Sequence, residues 1–224
     1  MVTNLILIIA IIAIPFLAQL YIKATYDKYS AIDNGKKVSG FEVAREILDA
    51  NGLKNIDIVT TSGTLSDHYD PKRKVVRLSE DVFNGESVAS MAVAAHECGH
   101  AIQDKEGYAL LRIRTLLVPA VNIGTSISYY IILAGFIFQI LNLVYVGIAL
   151  TALGLLLQLV TLPVEINASK RAGIQIKSLN IAGAEDSAGT KSVLTAAAMT
   201  YLAGVVASAL QVVRLILIFG NRRD

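Results

Sequence analysis

His96 and His100 are four residues apart, with Glu97, Cys98 and Gly99 between them. On a helix, side chains at that spacing leave from one face, so both imidazoles can reach a single metal ion at about 2.0–2.1 Å. A glutamate beside the ion is where a base for activating a metal-bound water is needed. The pattern predicts zinc-assisted hydrolysis, one Zn2+ per chain, with Glu97 as the general base. The bland alternative is a pair of solvated histidines on a helix surface. Three features weigh against it: the segment reads as helical, it uses two of the chain's three histidines, and Gly99 leaves room for another element to come close. Cys98 reads as a packing residue rather than a ligand or nucleophile.

A catalytic zinc keeps three protein ligands and one open position. His68 and Glu165 are the candidates for the third ligand. Glu165 follows directly on a long apolar run, in Leu162-Pro163-Val164-Glu165, and its bland reading is an interfacial glutamate that ends a hydrophobic helix. His68 or Tyr69 could instead act catalytically as a donor to the oxyanion, and both also read as ordinary turn and core residues.

These residues need elements to hold them, and residues 23–116 read as a compact α+β unit. Ser39 can cap a helix over Phe41–Ala50, with Glu42 completing a capping box and Gly52 as the stop. Two β-rich runs follow, Ile56–Thr60 and Lys74–Leu78, separated by a polar stretch with the turn signal Asp70-Pro71. The second run precedes the motif helix, and in zincins generally such a strand can present its edge to an extended peptide. Ser87 then caps a helix from Val88 to about Asp104, whose apolar positions Val88, Met91, Ala92, Ala95 and Ile102 follow helical spacing.

Composition places this unit beside a bilayer. Of 224 residues, 54% are hydrophobic and only 17% charged, against about 25% charged in a typical soluble domain. Mean hydropathy is +0.57. An ordinary soluble globule, a disordered chain and a disulfide-stapled module are excluded, the last by the single cysteine. A net charge of +2 gives no reason to expect a nucleic-acid partner. Met1–Ile22, Thr115–Val164 and Ser192–Val213 carry no charge at all.

About 20 apolar residues cross a hydrocarbon core of about 30 Å, so the outer windows hold one span each and the middle one holds two, turning near Gln139–Asn142. The expected spans are Asn4–Ile22, Leu117–Phe138, Leu141–Leu162 and Val193–Phe219. The organisation expected is an anchor at 1–22, the α+β region at 23–116, a helical hairpin at 117–162, a polar segment at 163–192 carrying Glu165, a last span at 193–219 and a tail at 220–224. The first span reads as a retained anchor rather than a cleaved leader, since it lacks a basic start and a small-residue cleavage site. Arg214 sits awkwardly in the last span unless that helix ends early or the arginine snorkels. Ala203 with Ala207, and Gly204 with Ser208, suggest close helix packing.

If Glu165 and His96 share an ion, the charge-free stretch between them must cross an even number of times. With the first helix N-out, one side collects Lys23, Lys28, Lys36, Lys37, Lys105, Arg112, Arg114, Lys170, Arg171, Lys177 and Lys191. The other collects Arg214, Arg222 and Arg223. The positive-inside rule then predicts a multi-pass protein of the cell's inner (cytoplasmic) membrane with its catalytic portion facing the cytoplasm.

Asp67-His68-Tyr69-Asp70-Pro71, Val75-Val76-Arg77-Leu78-Ser79, Ala95 to Gln103 around the histidine pair, the Leu-Pro-Val-Glu segment ending at Glu165, and Ala197-Ala198-Met199-Thr200-Tyr201 together resemble the bacterial neutral zinc metallopeptidase family, the YugP-like membrane proteases. The likeness covers nearly the whole chain. It implies a mainly α membrane protein, with four transmembrane helices and a small α+β zincin-like catalytic domain of gluzincin type. It also implies His96, His100 and Glu165 as zinc ligands, Glu97 as catalytic base, and a polypeptide, membrane-associated substrate. One departure stands out: the wider group has an aspartate four residues after the ligand glutamate, orienting a zinc histidine, where this chain has Ser169. Asn167 or an acidic group elsewhere is expected to take over that task.

Two other readings compete. An intramembrane protease would bury its motif in a long apolar span, whereas Glu86, Asp104 and Lys105 bracket this one. A non-catalytic scaffold or transporter component with a structural zinc would usually close the ion with four ligands, cysteine prominent among them, which a lone Cys98 fits poorly.

Overall fold

The computed structural model describes residues 2–183 and 186–220; Arg222 and Arg223, counted above, and the rest of the tail past Gly220 lie outside the described residues. The elements run α1 (Val2–Ser30), α2 (Gly40–Ala50), β1 (Asp57–Thr61), β2 (His68–Asp70), β3 (Val75–Ser79), α3 (Glu80–Phe83), α4 (Val88–Lys105), α5 (Ala109–Ile137), α6 (Leu141–Ser178) and α7 (Asp186–Phe219). The chain is mostly helical with one small sheet. Among the described residues, α1, α5, α6 and α7 are the four helices long and apolar enough to cross a membrane. They run past the charge-free windows: α5 starts at Ala109, and α6 continues through Pro163 and Glu165 to Ser178. Much of the expected polar segment is therefore helix. Charge marks where lipid ends, but helix persists while an apolar stripe still has something to pack on, and Val164, Ala168, Ala172 and Ile176 supply one, all buried.

Two compact units result. The apolar one comprises the chain up to Gln19, Ala109–Pro163 and the chain from Thr200 on. Leu5, Ile9, Phe16, Leu116, Phe138 and Leu217 face outward on it, as side chains bathed in hydrocarbon would. The α5–α6 turn falls at Phe138–Ile140, with Gln139 in the left-handed region (φ 54°) and Ile140 N–H donating to Gly135 C=O at 2.9 Å. Gly147 lets the hairpin close tightly, since a Cβ there would lie 3.0 Å from the Ser128 carbonyl oxygen. Ala203 and Ala207 are buried as their spacing suggests. The helix does not end before Arg214: α7 continues to Phe219, and the Arg214 Nε–H donates to Asn4 Oδ1 at 2.7 Å. A polar partner on α1 answers the charge that the apolar pattern could not place.

The other unit comprises Leu20–Tyr108 and Val164–Met199. Its capping box is formed as expected, with Ser39 N–H donating to Glu42 Oε2 at 2.7 Å and Glu42 N–H to Ser39 Oγ at 3.3 Å. Ser87 caps α4 through Ser90 N–H at 3.0 Å. α4 is enclosed on nearly all sides, with Ala89, Met91, Ala92, Ala94, Ala95, Cys98 and Ala101 fully buried. Its alanines let α2, α3 and the sheet crowd it. Around it lie Val43, Ala44, Ile47 and Leu48 of α2, Val76 and Leu78 of β3, and Ala172 and Ile176 of α6.

The sheet corrects one expectation. Its order is β1-β3-β2, with β3 parallel to β1 and antiparallel to β2. The strand expected to present an edge is the central one. Val75, Val76 and Leu78 are buried, as befits a strand covered on both faces and flanked on both sides. The flanking strand β2 is short and polar, His68-Tyr69-Asp70, and carries no alternation from which it could be read. It is tied by Asp70 Oδ1, which accepts from the Lys72 and Arg73 N–H groups in the turn, and by Asp67 Oδ1, which accepts from Ser79 N–H at 2.7 Å.

The core makes a simple demand on stability. Ile47→Ala should cost about 2–5 kcal/mol, whereas Ser39→Ala, which removes only the cap, should cost about 1 kcal/mol. Thermal unfolding of the detergent-solubilised chain, followed by circular dichroism, reads the ordering of the two losses.

Candidate metal centre

α4 carries His96 and His100 on one face, their rings 4.8 Å apart between centroids and nearly perpendicular. Opposite them α6 brings in Glu165, a residue almost wholly buried. Glu165 Oε2 lies 3.2 Å from His96 Nε2 and 3.4 Å from His100 Nε2. One ligand atom from each of the three side chains falls within 4.8 Å of the others. The approach rests on Gly99: a Cβ there would lie 2.5 Å from the Ala168 carbonyl oxygen and 3.1 Å from its carbon. Backbone would meet side chain with nothing flexible to yield.

The donor set fits a divalent cation. Two imidazole nitrogens and one carboxylate oxygen converge in a site shielded from water, where an uncompensated carboxylate is costly. Two nitrogens and an oxygen match the three protein ligands of a catalytic zinc. His96, His100 and Glu165 would hold the ion.

Glu97 takes no place in this cluster. Its Oε2 accepts from the Tyr69 backbone N–H of β2 at 2.9 Å, which orients the carboxylate. Burial pushes the Glu97 carboxyl up to about 7; neighbouring Glu165 and Asp67 add to this, while His96 and the Tyr69 N–H oppose it. A carboxyl poised near neutrality suits a group that must take and return a proton.

His68 lies apart from the three clustered side chains, exposed on β2, with Nδ1 2.8 Å from the Ser66 carbonyl oxygen. That carbonyl can only accept, so a neutral His68 ring carries its proton on Nδ1 and keeps a lone pair on Nε2. The Tyr69 hydroxyl donates to Asp104 at 2.7 Å rather than standing open. Cys98 is fully buried with Sγ 3.5 Å from the Ala44 carbonyl oxygen, and burial pushes its thiol up, as a packing role requires.

The shell around the ligands was only partly legible. Ser169, standing where the wider group has aspartate, itself makes the contact, with Oγ 3.1 Å from His96 Nδ1. Asn167 does not touch a histidine. It receives hydrogen bonds from Gln103 Nε2 at 2.9 Å and Arg171 Nε at 2.7 Å, and Gln103 Oε1 lies 3.0 Å from His100 Nδ1. The signal for Gln103 is its place three residues after His100 on the same helix, where side chains are neighbours. A fully buried glutamine always needs partners.

Gly99→Ala should push α4 and α6 apart at the backbone. Zinc affinity, measured by chelator competition, is expected to fall by about tenfold or more. Wild-type affinity in that variant would mean the helices can separate without moving the ligands.

A family model described as "Putative neutral zinc metallopeptidase" matches residues 4–220. The chain is also 42% identical over 218 residues to the "Putative membrane protease YugP" of Bacillus subtilis (strain 168), covering 97% of each. No solved structure matches it. A family match along almost the entire chain agrees with a zinc-type donor set and four membrane-length helices: the chain belongs to the neutral zinc metallopeptidase family.

Proposed function

We propose that this protein is a zinc-dependent membrane protease of gluzincin type, hydrolysing peptide bonds of membrane-associated polypeptides near the cytoplasmic face of the inner membrane. The observation that carries the reading is the convergence of His96, His100 and Glu165 beside a separately held Glu97. A bound zinc, one per chain, supplies the positive charge that polarises a peptide carbonyl and makes water acidic at neutral pH.

The chain's own residues do the rest. Glu97 takes the proton from the attacking water on the carboxylate that Tyr69 N–H keeps aligned, then returns it to the leaving amine. β2 is an edge strand of the sheet, and the same strand aligns Glu97, so an extended substrate laid along it would bring its scissile bond toward the base. His68 sits on that strand, next to the residue whose N–H aligns Glu97, which makes it the candidate donor to the oxyanion. The domain is read as zincin-like on the strength of this helix, edge strand and ligand set.

Glu97→Gln should retain zinc and lose peptide cleavage by about a hundredfold or more. A variant that still cleaves removes Glu97 from the role of base; a wild-type protein that binds zinc without chelator-sensitive cleavage favours the scaffold reading. The proposed orientation has its own check. A membrane-impermeant amine reagent applied to intact cells should leave Lys54 and Lys72 unlabelled, and labelling of either reverses the topology.

A further inference from the structure

Three side chains behind His100 form a hydrogen-bonded chain with only one possible direction. It begins at Arg171, whose Nη2 pairs with Glu106 Oε2 at 2.7 Å and whose Nε–H donates to Asn167 Oδ1 at 2.7 Å. A guanidinium can only donate, so the Asn167 atom facing it is its carbonyl oxygen. That oxygen also faces Gln103 at 2.9 Å, and so does the Val164 backbone carbonyl at 2.8 Å. Both are acceptors, so the Gln103 atom between them is its NH₂, and both its hydrogens are spent. Gln103 Oε1 must then turn to His100 Nδ1, 3.0 Å away, where it can only accept. His100 therefore carries a hydrogen on Nδ1, and the lone pair of the neutral ring lies on Nε2, the nitrogen 3.4 Å from Glu165 Oε2.

We propose that Gln103, held in one orientation by Asn167 and Arg171, is the positioning residue that fixes His100 in its metal-ready tautomer. The inference rests on the metal reading above. It gives Gln103 a second task, because its donation to the Val164 carbonyl grips α6 at the residue before Glu165. One side chain thus aims a ligand on α4 and braces the ligand on α6.

Ser169 cannot do the same for His96. A hydroxyl both donates and accepts, so its contact with His96 Nδ1 at 3.1 Å leaves that tautomer undetermined. The amide chain, terminated by an obligate donor, has no such freedom.

The test uses the full chain in detergent with ¹⁵N-labelled histidine, the three histidines assigned by substitution. In the zinc-free wild type, the His100 signals should report Nδ1–H. Gln103→Met keeps the length and removes the acceptor; it should shift His100 toward Nε2–H and raise the zinc dissociation constant by about 10–100-fold. Asn167→Leu releases the Gln103 amide and should weaken zinc in the same direction, whereas Asn167→Asp still accepts from both Arg171 and Gln103 and should recover the affinity that leucine loses. A purely structural role for the cluster would lower the melting temperature in all three variants without moving the tautomer. The proposal is overturned if Gln103→Met keeps both the Nδ1–H tautomer and the wild-type dissociation constant, or if Asn167→Asp and Asn167→Leu bind zinc alike and His100 is Nδ1–H in both. If the wild type binds no zinc, the metal reading falls by itself, and the tautomer in the zinc-free protein still decides whether Gln103 sets it.

Discussion

The distance between α4 and α6 at Gly99 and Ala168 governs what the site can be. Here two imidazoles on one helix meet a carboxylate on another where the backbones come closer than a larger side chain at Gly99 would allow. Glycine on α4 and alanine on α6 permit that approach, and the neighbouring residues Ala95 and Ala172 are small and buried as well. The same constraint makes α4 poor in large side chains, so that its stability comes from being enclosed rather than from its own apolar bulk.

A polar site inside an apolar core must answer each buried group with a partner, because an unanswered one costs roughly as much as several good contacts supply. Here the answers come from different elements: Glu97 from the β2 backbone, His96 from Ser169 on α6, His100 from Gln103 one turn along α4. Each partner removes a freedom of the group it touches. Geometry of this kind is built into the fold, and the hydrogen bonds that satisfy burial also do the aiming.

The apolar unit follows the same logic with a different solvent. Its helices present large apolar side chains outward and use Gly147, Ala203 and Ala207 where helices meet. Arg214 shows the cost of polarity there, since it is tolerated beside an amide acceptor, Asn4, on another helix.

Local signals were enough to read much of this chain. The charge-free windows announced four membrane-length helices because lipid excludes charge. Ser39-Glu42 and Ser87 marked helix starts because caps act over three residues, and the His-Glu-Cys-Gly-His spacing put two imidazoles on one face because a helix repeats at a known pitch. What was illegible depended on contacts between residues distant in sequence. β2 has too little pattern to be seen, so the central place of β3 emerged only from pairing. Whether Glu165 or His68 approached the histidines turned on how α4 and α6 pack, and Gln103 acquired its role only when Asn167 and Arg171 arrived from another helix to orient it. The sequence by itself determined which groups could bind and where lipid would lie, since those follow from side-chain chemistry and helical pitch. Tertiary structure alone decided which groups face one another, because that depends on the separation and rotation of packed helices.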